Sequence, residues 1–292
     1  MREDRMNDIR HIGVIGCGVM GSGIAELCVR RQIEVVVVVR AAASAGAGRT
    51  KLTRSLDHAV RKNRIGEAQR DDALARVSFA TDLDAVAKQD LVIESVTEDE
   101  AVKRILFSRL DQVVTNPDAI LASNTSVIPI MKLARVTRRP EHVLGIHFFN
   151  PAPTLPLVEL VETLVSDEKA LARTERFLTD VLGKEIVRSH DRCGFIVNAL
   201  LIPYLLSAIR MVESGFGSAV DIDRAMMLGC AYPIGPLALI DMIGLDTIAD
   251  VSDAMQREYR EPQYVAPPLL SRMVEAGMLG RKTGAGFHQY GK

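Results

Sequence analysis

The sequence predicts an α/β protein in which a doubly wound, mostly parallel sheet is followed by a smaller all-α C-terminal domain. An apolar stretch near the N-terminus runs into the spacing GCGVMG and then into a helical pattern. Apolar runs then alternate with helical stretches, which favours parallel strands joined by crossover helices. Beyond about residue 190 this alternation stops and helical periodicity dominates. We therefore expect a dinucleotide-binding domain over 1–190 and a helical domain over 191–292.

The glycine spacing after the first strand predicts a Rossmann-type dinucleotide site. Gly16 permits a tight turn, Gly18 lets a pyrophosphate approach the backbone, and Gly21 lets the following helix pack closely on the strand. Val19 and Met20 lie in the same turn, where the first N–H groups and the dipole of the helix favour phosphates. The alternative is a tightly packed turn without a ligand.

The second strand, Glu34–Val39, has valine at five of its six positions, as expected for a strand buried on both faces. NAD-binding domains place an acid about 20 residues beyond the glycines, where it accepts hydrogen bonds from the ribose 2′-hydroxyl. Val39 occupies that place here, and Arg40 follows it. A guanidinium suits a 2′-phosphate, and Arg49 lies close in sequence, so this departure favours NADP(H) over NAD(H). The alternative is that Arg40 points to solvent and NAD(H) binds through its other groups.

Later stretches continue the alternation of helices and strands. The small residues of Ala41–Ala47 suggest a loop, and Arg49–Arg76 has helical spacing with many basic residues, most of them on a solvated face. The remaining predicted strands and helices of this domain are the strands Val77–Ala80, Leu91–Val96, Ile120–Ser123 and Val143–Phe148, the helix Glu98–Val114, the apolar segment Leu157–Val161, the helix Asp167–Leu182 and the strand Glu185–Arg188.

Polar side chains follow the predicted strands at the edge where such sheets bind ligands. They are Glu98, the cluster 123–126 (sequence SNTS), His147 and Asn150. His147 is the natural acid/base among them, unless it is a buried histidine with satisfied hydrogen bonds. Glu159 follows a proline-punctuated turn, and its carboxylate is a candidate to fix the imidazole tautomer and stabilise imidazolium. The alternative for Glu159 is a charge on a half-exposed strand.

The stretch Cys193–Ile209 contains no charged residue. It is shorter than the roughly 20 residues that span a bilayer and contains Asn198 and Pro203, so it predicts a buried helix that packs on the first domain, on a partner subunit or on both. Asn198 is either an internal hydrogen-bonding residue or a donor to a cleft.

Composition excludes several classes of function. The chain has 36 Lys and Arg against 37 Asp and Glu, a net charge of −1, which gives no general attraction to nucleic acid or to an anionic membrane. Its four cysteines lack metal-site spacing and are too few for a disulfide scaffold, so we expect free thiols and no metal site. The first ten residues, MREDRMNDIR, lack the apolar segment of a secretory signal, and we expect a cytoplasmic protein.

The motifs together resemble one family along essentially the whole chain. The sequence is similar to the short, single-function 3-hydroxyacyl-CoA dehydrogenases, and among them to the bacterial 3-hydroxybutyryl-CoA dehydrogenases. The matching stretches are IGVIGCGVMGSGIA, LVIESVTEDEAVK, ASNTSVIP, GIHFFNPAPTLPLVELV, DRCGFIVNALLIPYLLSAI, DIDRAMMLGCAYPIGPLALIDMIGLDT and LGRKTGAGFHQY.

This resemblance implies roles for individual residues. It makes His147 the acid/base with Glu159 as its partner, and Ser126 and Asn198 the contacts of the reacting substrate oxygen. Ser55 and Lys62 match positions that contact coenzyme A, and the family is usually dimeric through its helical domain. The positions implied for the nicotinamide half of the cofactor and its pocket are Glu98, Lys103, Ser126, Asn150 and Lys282.

The implied reaction is hydride transfer between NAD(P) and a (3S)-3-hydroxyacyl-CoA or 3-ketoacyl-CoA. One alternative is the same chemistry on an acyl group carried by a protein. A second is a non-catalytic binding or structural relative, which the presence of Ser126, His147, Glu159 and Asn198 disfavours. A third is a 2-hydroxyacid dehydrogenase with a catalytic lysine on the first helix of the second domain, which the absence of lysine from Cys193–Ile209 disfavours.

Overall fold

The computed structural model describes residues 9–291. Residues 1–8, which make up most of the charged N-terminal segment used to predict the absence of a signal, lie outside the described part. The chain forms two compact units that divide between Asp191 and Arg192. The boundary expected from the sequence falls between residues 190 and 191.

The first unit is built on one eight-stranded sheet with the order β3-β2-β1-β4-β5-β6-β7-β8. Neighbouring strands run parallel except β6 and β7, which are antiparallel, so the predicted doubly wound and mostly parallel sheet is confirmed. The strands are β1 (His11–Ile15), β2 (Glu34–Val38), β3 (Val77–Ala80), β4 (Leu91–Glu94), β5 (Ile120–Ser123), β6 (Val143–Phe148), β7 (Leu157–Glu162) and β8 (Glu185–His190).

Helices connect the strands of this unit. Strands β1, β4, β5 and β6 lie at its centre and are almost wholly buried, because the helices and connecting turns cover the two faces of the sheet. The helices are α1 (Val19–Val29), α2 (Ala42–Arg61), α3 (Glu67–Ala75), α4 (Glu100–Val113), α5 (Ile130–Ala134) and α6 (Glu168–Arg176), which continues as a π-helical turn, Phe177–Val181.

The expectation of a loop over Ala41–Ala47 is wrong, because α2 already begins at Ala42. Alanine is the strongest helix former, and the run contains four alanines after Ala41, so its small residues favour a helix as well as a loop. Gly48 is needed for packing: a Cβ there would lie 2.6 Å from Cys17 Sγ. Small residues in this stretch therefore let a helix approach the glycine-rich turn.

Other predicted elements differ from the structure at their ends. The stretch Arg49–Arg76 forms two helices, because α2 ends at Arg61 and α3 begins only at Glu67. Strand β4 ends at Glu94 rather than Val96, and Asp99 caps α4 by accepting a hydrogen bond from the Val102 N–H.

The second unit is helical, as predicted. The uncharged stretch forms most of α7, whose residues Ile202, Leu205 and Leu206 are buried. Leu200 on the same helix is 73% exposed in the single chain, so the predicted burial of this helix holds for one of its faces. Among residues 9–291, no helix combines the length and the apolar character that crossing a bilayer requires. The helices are α7 (Val197–Glu213), α8 (Ala219–Gly229), α9 (Pro236–Ile243), α10 (Leu245–Tyr259) and α11 (Pro268–Glu275).

Candidate active site

The glycine-rich turn between β1 and α1 has the geometry of a phosphate cradle. Gly16 has a φ of +97°, and a Cβ there would lie 2.5 Å from the Ser95 carbonyl oxygen. A Cβ on Gly21 would lie 2.2 Å from the Gly16 carbonyl oxygen. A Cβ on Gly18, by contrast, would meet no described atom within 4 Å, so the space in front of the helix is open. The turn therefore fits a pyrophosphate at the N-terminus of α1.

Val19 and Met20 form the first turn of α1 behind these glycines. Val19 is 63% exposed, and Met20 packs against the core of the sheet. The backbone N–H groups of this turn are those that a helix N-terminus leaves for an anion.

The end of β2 carries the basic residue that departs from the usual NAD pattern. Val39 is buried and Arg40 is exposed. Among the side chains of residues 9–291, no carboxylate lies within ion-pair distance of Arg40. The guanidinium carbon of Arg49 lies 5.3 Å from the centre of the Phe79 ring. Arg49 thus has an aromatic partner, while Arg40 presents its charge to solvent.

Strands β6 and β7 bring His147 and Glu159 together. The two residues are direct partners in the antiparallel register, so their side chains project from the same face. His147 Nδ1 lies 2.7 Å from Glu159 Oε2, and His147 Nε2 lies 3.0 Å from Ser126 Oγ. Glu159 is fully buried and His147 is 4% exposed, so the alternative of a half-exposed Glu159 is wrong.

The chemistry of these partners fixes the roles of the two ring nitrogens. An ionised carboxylate only accepts hydrogen bonds, so Nδ1 of His147 donates to Glu159. The neutral ring then has its lone pair at Nε2, the nitrogen that faces the Ser126 hydroxyl. The Phe149 ring, 4.6 Å from the imidazole between ring centres, covers one side of it. The arrangement is that of an oriented acid/base.

The Glu98 carboxylate organises the turn that carries Ser126. It accepts hydrogen bonds from the backbone N–H groups of Ser126 (3.0 Å) and Val127 (3.3 Å) and from the Thr125 hydroxyl. Lys103 Nζ lies 3.4 Å from the other oxygen of Glu98, although Lys103 itself is only 1% exposed. The structure thus brings Glu98, Lys103 and Ser126 together.

Glu94 is a buried acid that the sequence interpretation overlooked. It is the last residue of β4 and is fully buried, with one oxygen 2.5 Å from Lys103 Nζ and the other 2.6 Å from Ser123 Oγ. The sequence indicated only that an acid within an apolar strand requires partners, and it did not show which residues those partners are.

A groove beside α1 and α2 is lined by only one of the two residues expected to contact coenzyme A. It has a volume of about 250 Å³, and Ser55 belongs to its lining. Asn150, which the resemblance assigns to the nicotinamide half and its pocket, also lines this groove. Lys62 is exposed at the C-terminal end of α2, outside that lining. The basic residues of the lining are Arg30, Lys51 and Arg64.

Two expected residues belong to the second unit. Asn198 is the second residue of α7 and is half-buried. Lys282 lies in the short helical turn Arg281–Thr283, with its Nζ 2.5 Å from Asp246 Oδ2. Asn198 and Lys282 are therefore placed within the helical unit and not in the sheet that carries His147.

Comparison with known proteins adds independent information. The family profile described as the NAD binding domain of 3-hydroxyacyl-CoA dehydrogenase matches residues 11–192, and the profile of the C-terminal domain matches residues 194–290. The chain is 57% identical over 282 residues to a 3-hydroxybutyryl-CoA dehydrogenase of Mycobacterium tuberculosis, which covers 97% of this chain and 99% of the relative. A 3-hydroxybutyryl-CoA dehydrogenase of Bradyrhizobium diazoefficiens is 41% identical, with 97% and 96% covered.

A solved structure has the same fold. The crystal structure of (S)-3-hydroxybutyryl-CoA dehydrogenase from Ralstonia eutropha matches with a TM-score of 0.91 and 40% identity, over 98% of this chain and all of that chain. The two family profiles cover nearly every described residue of both units. The chain therefore belongs to the 3-hydroxyacyl-CoA dehydrogenase family and is an NAD-dependent oxidoreductase.

Proposed function

We propose that this enzyme interconverts (3S)-3-hydroxybutyryl-CoA and acetoacetyl-CoA. The observation that carries the proposal is the line of Ser126, His147 and Glu159 at the carboxyl edge of the sheet that also bears the glycine-rich turn. Relatives at 57% and 41% identity bear the name 3-hydroxybutyryl-CoA dehydrogenase, which supports a short acyl chain.

His147 moves the proton of the reaction in this proposal. A bound nicotinamide supplies the hydride acceptor for oxidation or the hydride donor for reduction. During oxidation Nε2 of His147 takes the proton of the substrate 3-hydroxyl group, and during reduction the protonated ring returns it. Glu159 holds Nδ1 and stabilises the imidazolium charge, which its burial keeps away from water.

Ser126 and Asn198 contact the reacting oxygen in the same proposal. The Ser126 hydroxyl lies 3.0 Å from His147 Nε2. A substrate oxygen that hydrogen-bonds to both groups would lie beside both side chains. Asn198 supplies a second donor from the helical unit, a role that rests on the family resemblance. In acyl-transfer enzymes, one donor aimed at the developing charge of an oxyanion contributes about 3 to 4 kcal/mol.

The ligands bind at two groups of residues. Ser55 and Lys62, with the basic lining of the groove beside α2, hold the phosphates of coenzyme A. The residues assigned to the cofactor are Gly16, Gly18, Val19, Met20 and Gly21 for the pyrophosphate and Glu98, Lys103, Ser126, Asn150 and Lys282 for the nicotinamide half and its pocket.

Arg40 gives the enzyme a preference for NADP(H) in our proposal. Its charge is exposed at the end of β2, and Val39 beside it can neither accept ribose hydrogen bonds nor repel a 2′-phosphate. Such a preference favours reduction of the 3-ketoacyl thioester as the working direction.

Assembly and location are part of the same proposal. The enzyme acts as a homodimer through its helical domain, which is supported by the exposed apolar side chains of that unit. We place it in the cytoplasm, a proposal supported by its similarity to bacterial 3-hydroxybutyryl-CoA dehydrogenases.

Initial rates with a series of 3-ketoacyl thioesters test the function. We expect acetoacetyl-CoA to be reduced with a higher kcat/KM than longer 3-ketoacyl-CoA substrates. Acetoacetyl-N-acetylcysteamine, which lacks the nucleotide of coenzyme A, should be much poorer because the basic groove has nothing to bind. Equal use of the truncated thioester would contradict the coenzyme A assignment, and no rate with any 3-ketoacyl-CoA would contradict the function.

A further inference from the structure

The fully buried carboxylate of Glu94 joins three segments at the carboxyl edge of the sheet. One oxygen accepts from Lys103 Nζ of α4 (2.5 Å) and from the Val96 N–H of the loop after β4 (2.6 Å). The other accepts from the Ser123 hydroxyl (2.6 Å), which lies directly opposite in the parallel register of β4 and β5. Glu94 therefore contacts its own loop, the neighbouring strand and the following helix.

General stability does not explain this cluster. Glu94, Lys103 and Ser123 are all at most 1% exposed, and burying two charges costs several kcal/mol for each ion before their attraction is counted. Apolar side chains of similar volume often stabilise a core as well as a buried ion pair does. The hydrogen bonds that Glu94 accepts are directional, so they restrict the positions of the groups that donate them.

The hydrogen bonds continue from Glu94 to the acid/base. Ser123 Oγ accepts a hydrogen bond from the Thr125 N–H (3.2 Å), and the Thr125 hydroxyl donates to Glu98. Glu98 accepts from the Ser126 N–H, and the Ser126 hydroxyl lies 3.0 Å from His147 Nε2. A second route runs from Glu94 through the Lys103 ammonium, which is also 3.4 Å from Glu98. Both routes meet at the turn that presents Ser126.

We propose that Glu94 is a positioning residue of the active site, an assignment that rests on the function proposed above. By holding Ser123 and the Lys103 ammonium, Glu94 keeps Glu98 available to the N–H groups of residues 126 and 127. The Ser126 hydroxyl is thereby held beside His147, and the Lys103–Glu98 pair is held where the family resemblance places the nicotinamide half of the cofactor.

The variant Glu94→Gln tests this role, because glutamine keeps the volume but removes the charge and one acceptor. Without that charge, Lys103 is left with Glu98 alone and draws it from the 126–127 turn. We expect kcat for acetoacetyl-CoA reduction to fall about 10-fold or more. The Kd for the reduced cofactor should rise about fivefold, while KM for acetoacetyl-CoA should change much less.

Asp111→Asn is the matched control. Asp111 is also buried at 3% exposure and is paired with Arg138 and Arg139, none of which we place in the site. It should lower the thermal midpoint while leaving kcat and the cofactor Kd unchanged. If Glu94→Gln behaves as this control does, Glu94 is merely structural and the proposal is overturned.

Ser123→Ala provides a milder variant that decides the matter if Glu94→Gln does not fold. It removes the hydroxyl route and leaves the Lys103 ion pair, so kcat should fall severalfold with little change in the cofactor Kd. An unchanged kcat for this variant overturns the proposal. Cofactor affinity is measured without the thioester, so an inactive wild-type enzyme would contradict the proposed reaction while leaving the effect of Glu94 on cofactor binding measurable.

Discussion

A histidine between a buried carboxylate and a hydroxyl group has its tautomer and ring orientation set by its neighbours. His147 is held in this way by Glu159 and Ser126, at 2.7 and 3.0 Å. The ring is therefore already oriented, and Nε2 is the nitrogen that faces Ser126 and that we propose takes the proton of the substrate. At the residue scale, the site therefore holds a buried imidazole whose orientation is fixed by its hydrogen-bond partners.

Replacing His147 tests the proton-transfer role. His147→Gln should lower kcat by about 100-fold or more, because glutamine retains a polar group of similar reach but cannot take a proton. Cofactor affinity, measured by fluorescence titration, should hardly change because the glycine-rich turn is untouched. A variant with near-wild-type rates at every pH would remove His147 from the mechanism.

Arg40 decides between the two nicotinamide cofactors in our proposal. A charge-assisted hydrogen bond contributes about 1.5 to 3 kcal/mol, so wild type should prefer NADPH over NADH by about 10- to 100-fold in kcat/KM. Arg40→Ala should lose this preference. Arg49→Ala is an informative companion, since the Arg49 guanidinium lies over Phe79 and its removal should have the smaller effect.

The cofactor experiment has two outcomes that contradict the idea. The first is equal or better use of NADH by wild type, which would mean that Val39 simply extends a buried strand. The second is an Arg40→Ala variant that keeps its preference for NADPH, which would mean that the 2′-phosphate is bound elsewhere. Both are measured with acetoacetyl-CoA at saturation.

At the scale of elements, strand ends were the most predictable part of the site. Apolar runs located every strand that carries a proposed catalytic group, and the ends of parallel strands meet at one edge of the sheet. The antiparallel return that sets Glu159 against His147 could be anticipated from the proline-punctuated turn. Its register could not, because a shift of one residue would turn Glu159 to the other face.

Two other features could not be predicted from the local sequence pattern, namely the start of α2 and the role of Glu94. The small residues of Ala42–Ala47 are compatible with a loop or a helix, and the close approach of Gly48 to Cys17, which favours a small residue there, is a tertiary contact that a sequence does not display. Glu94 was overlooked because its partners, Ser123 and Lys103, come from two other elements. In both cases the structure depends on tertiary contacts between residues that are distant in the sequence.

Asp111 links α4 to the turn before β6 and provides a pH-dependent test. Its oxygens accept from the Arg138 N–H and Nε and from Arg139 Nε at 2.9 to 3.0 Å. Burial raises the pKa of Asp111, but the hydrogen bonds from Arg138 and then Arg139 outweigh it, so the pKa lies below its usual value. Asp111→Asn should lower the free energy of unfolding at pH 7 by about 2 kcal/mol.

The sign of the pH effect follows from that lowered pKa. The contribution of Asp111 is complete above the pKa of an unfolded aspartate, about 3.9, and is lost as pH falls through the lower folded value. The difference between wild type and Asp111→Asn in urea unfolding should therefore be constant from neutral pH to about 5 and shrink in stronger acid. Asp118→Asn, an exposed neighbour, should show no such difference. If the difference in unfolding free energy between wild type and Asp111→Asn grew in acid, it would contradict a lowered pKa for Asp111.

At the scale of the whole molecule, exposed apolar side chains on the helical unit bear on how the protein assembles. The helical unit exposes Leu200, Phe216 and Leu228 at 73%, 79% and 74%. Leu200 belongs to the uncharged stretch of α7, and other residues of the same helix, such as Ile202 and Leu205, are buried. A dimer in which another subunit covers these side chains would remove them from water.

The proposed homodimer is tested by placing carboxylates at two of these exposed positions. In the double variant Leu200→Asp/Leu228→Asp, association would bury four unpaired carboxylates per dimer, so we expect a monomer. Sedimentation equilibrium should give twice the 32.0 kDa chain mass for wild type and 32.0 kDa for the double variant. Leu164→Asp in the first unit, where Leu164 is 98% exposed, should remain dimeric. Circular dichroism should show that the monomer keeps its helices, because the changed side chains are exposed. A wild type of 32.0 kDa, or a double variant that stays dimeric, would place the subunit contact elsewhere or remove it.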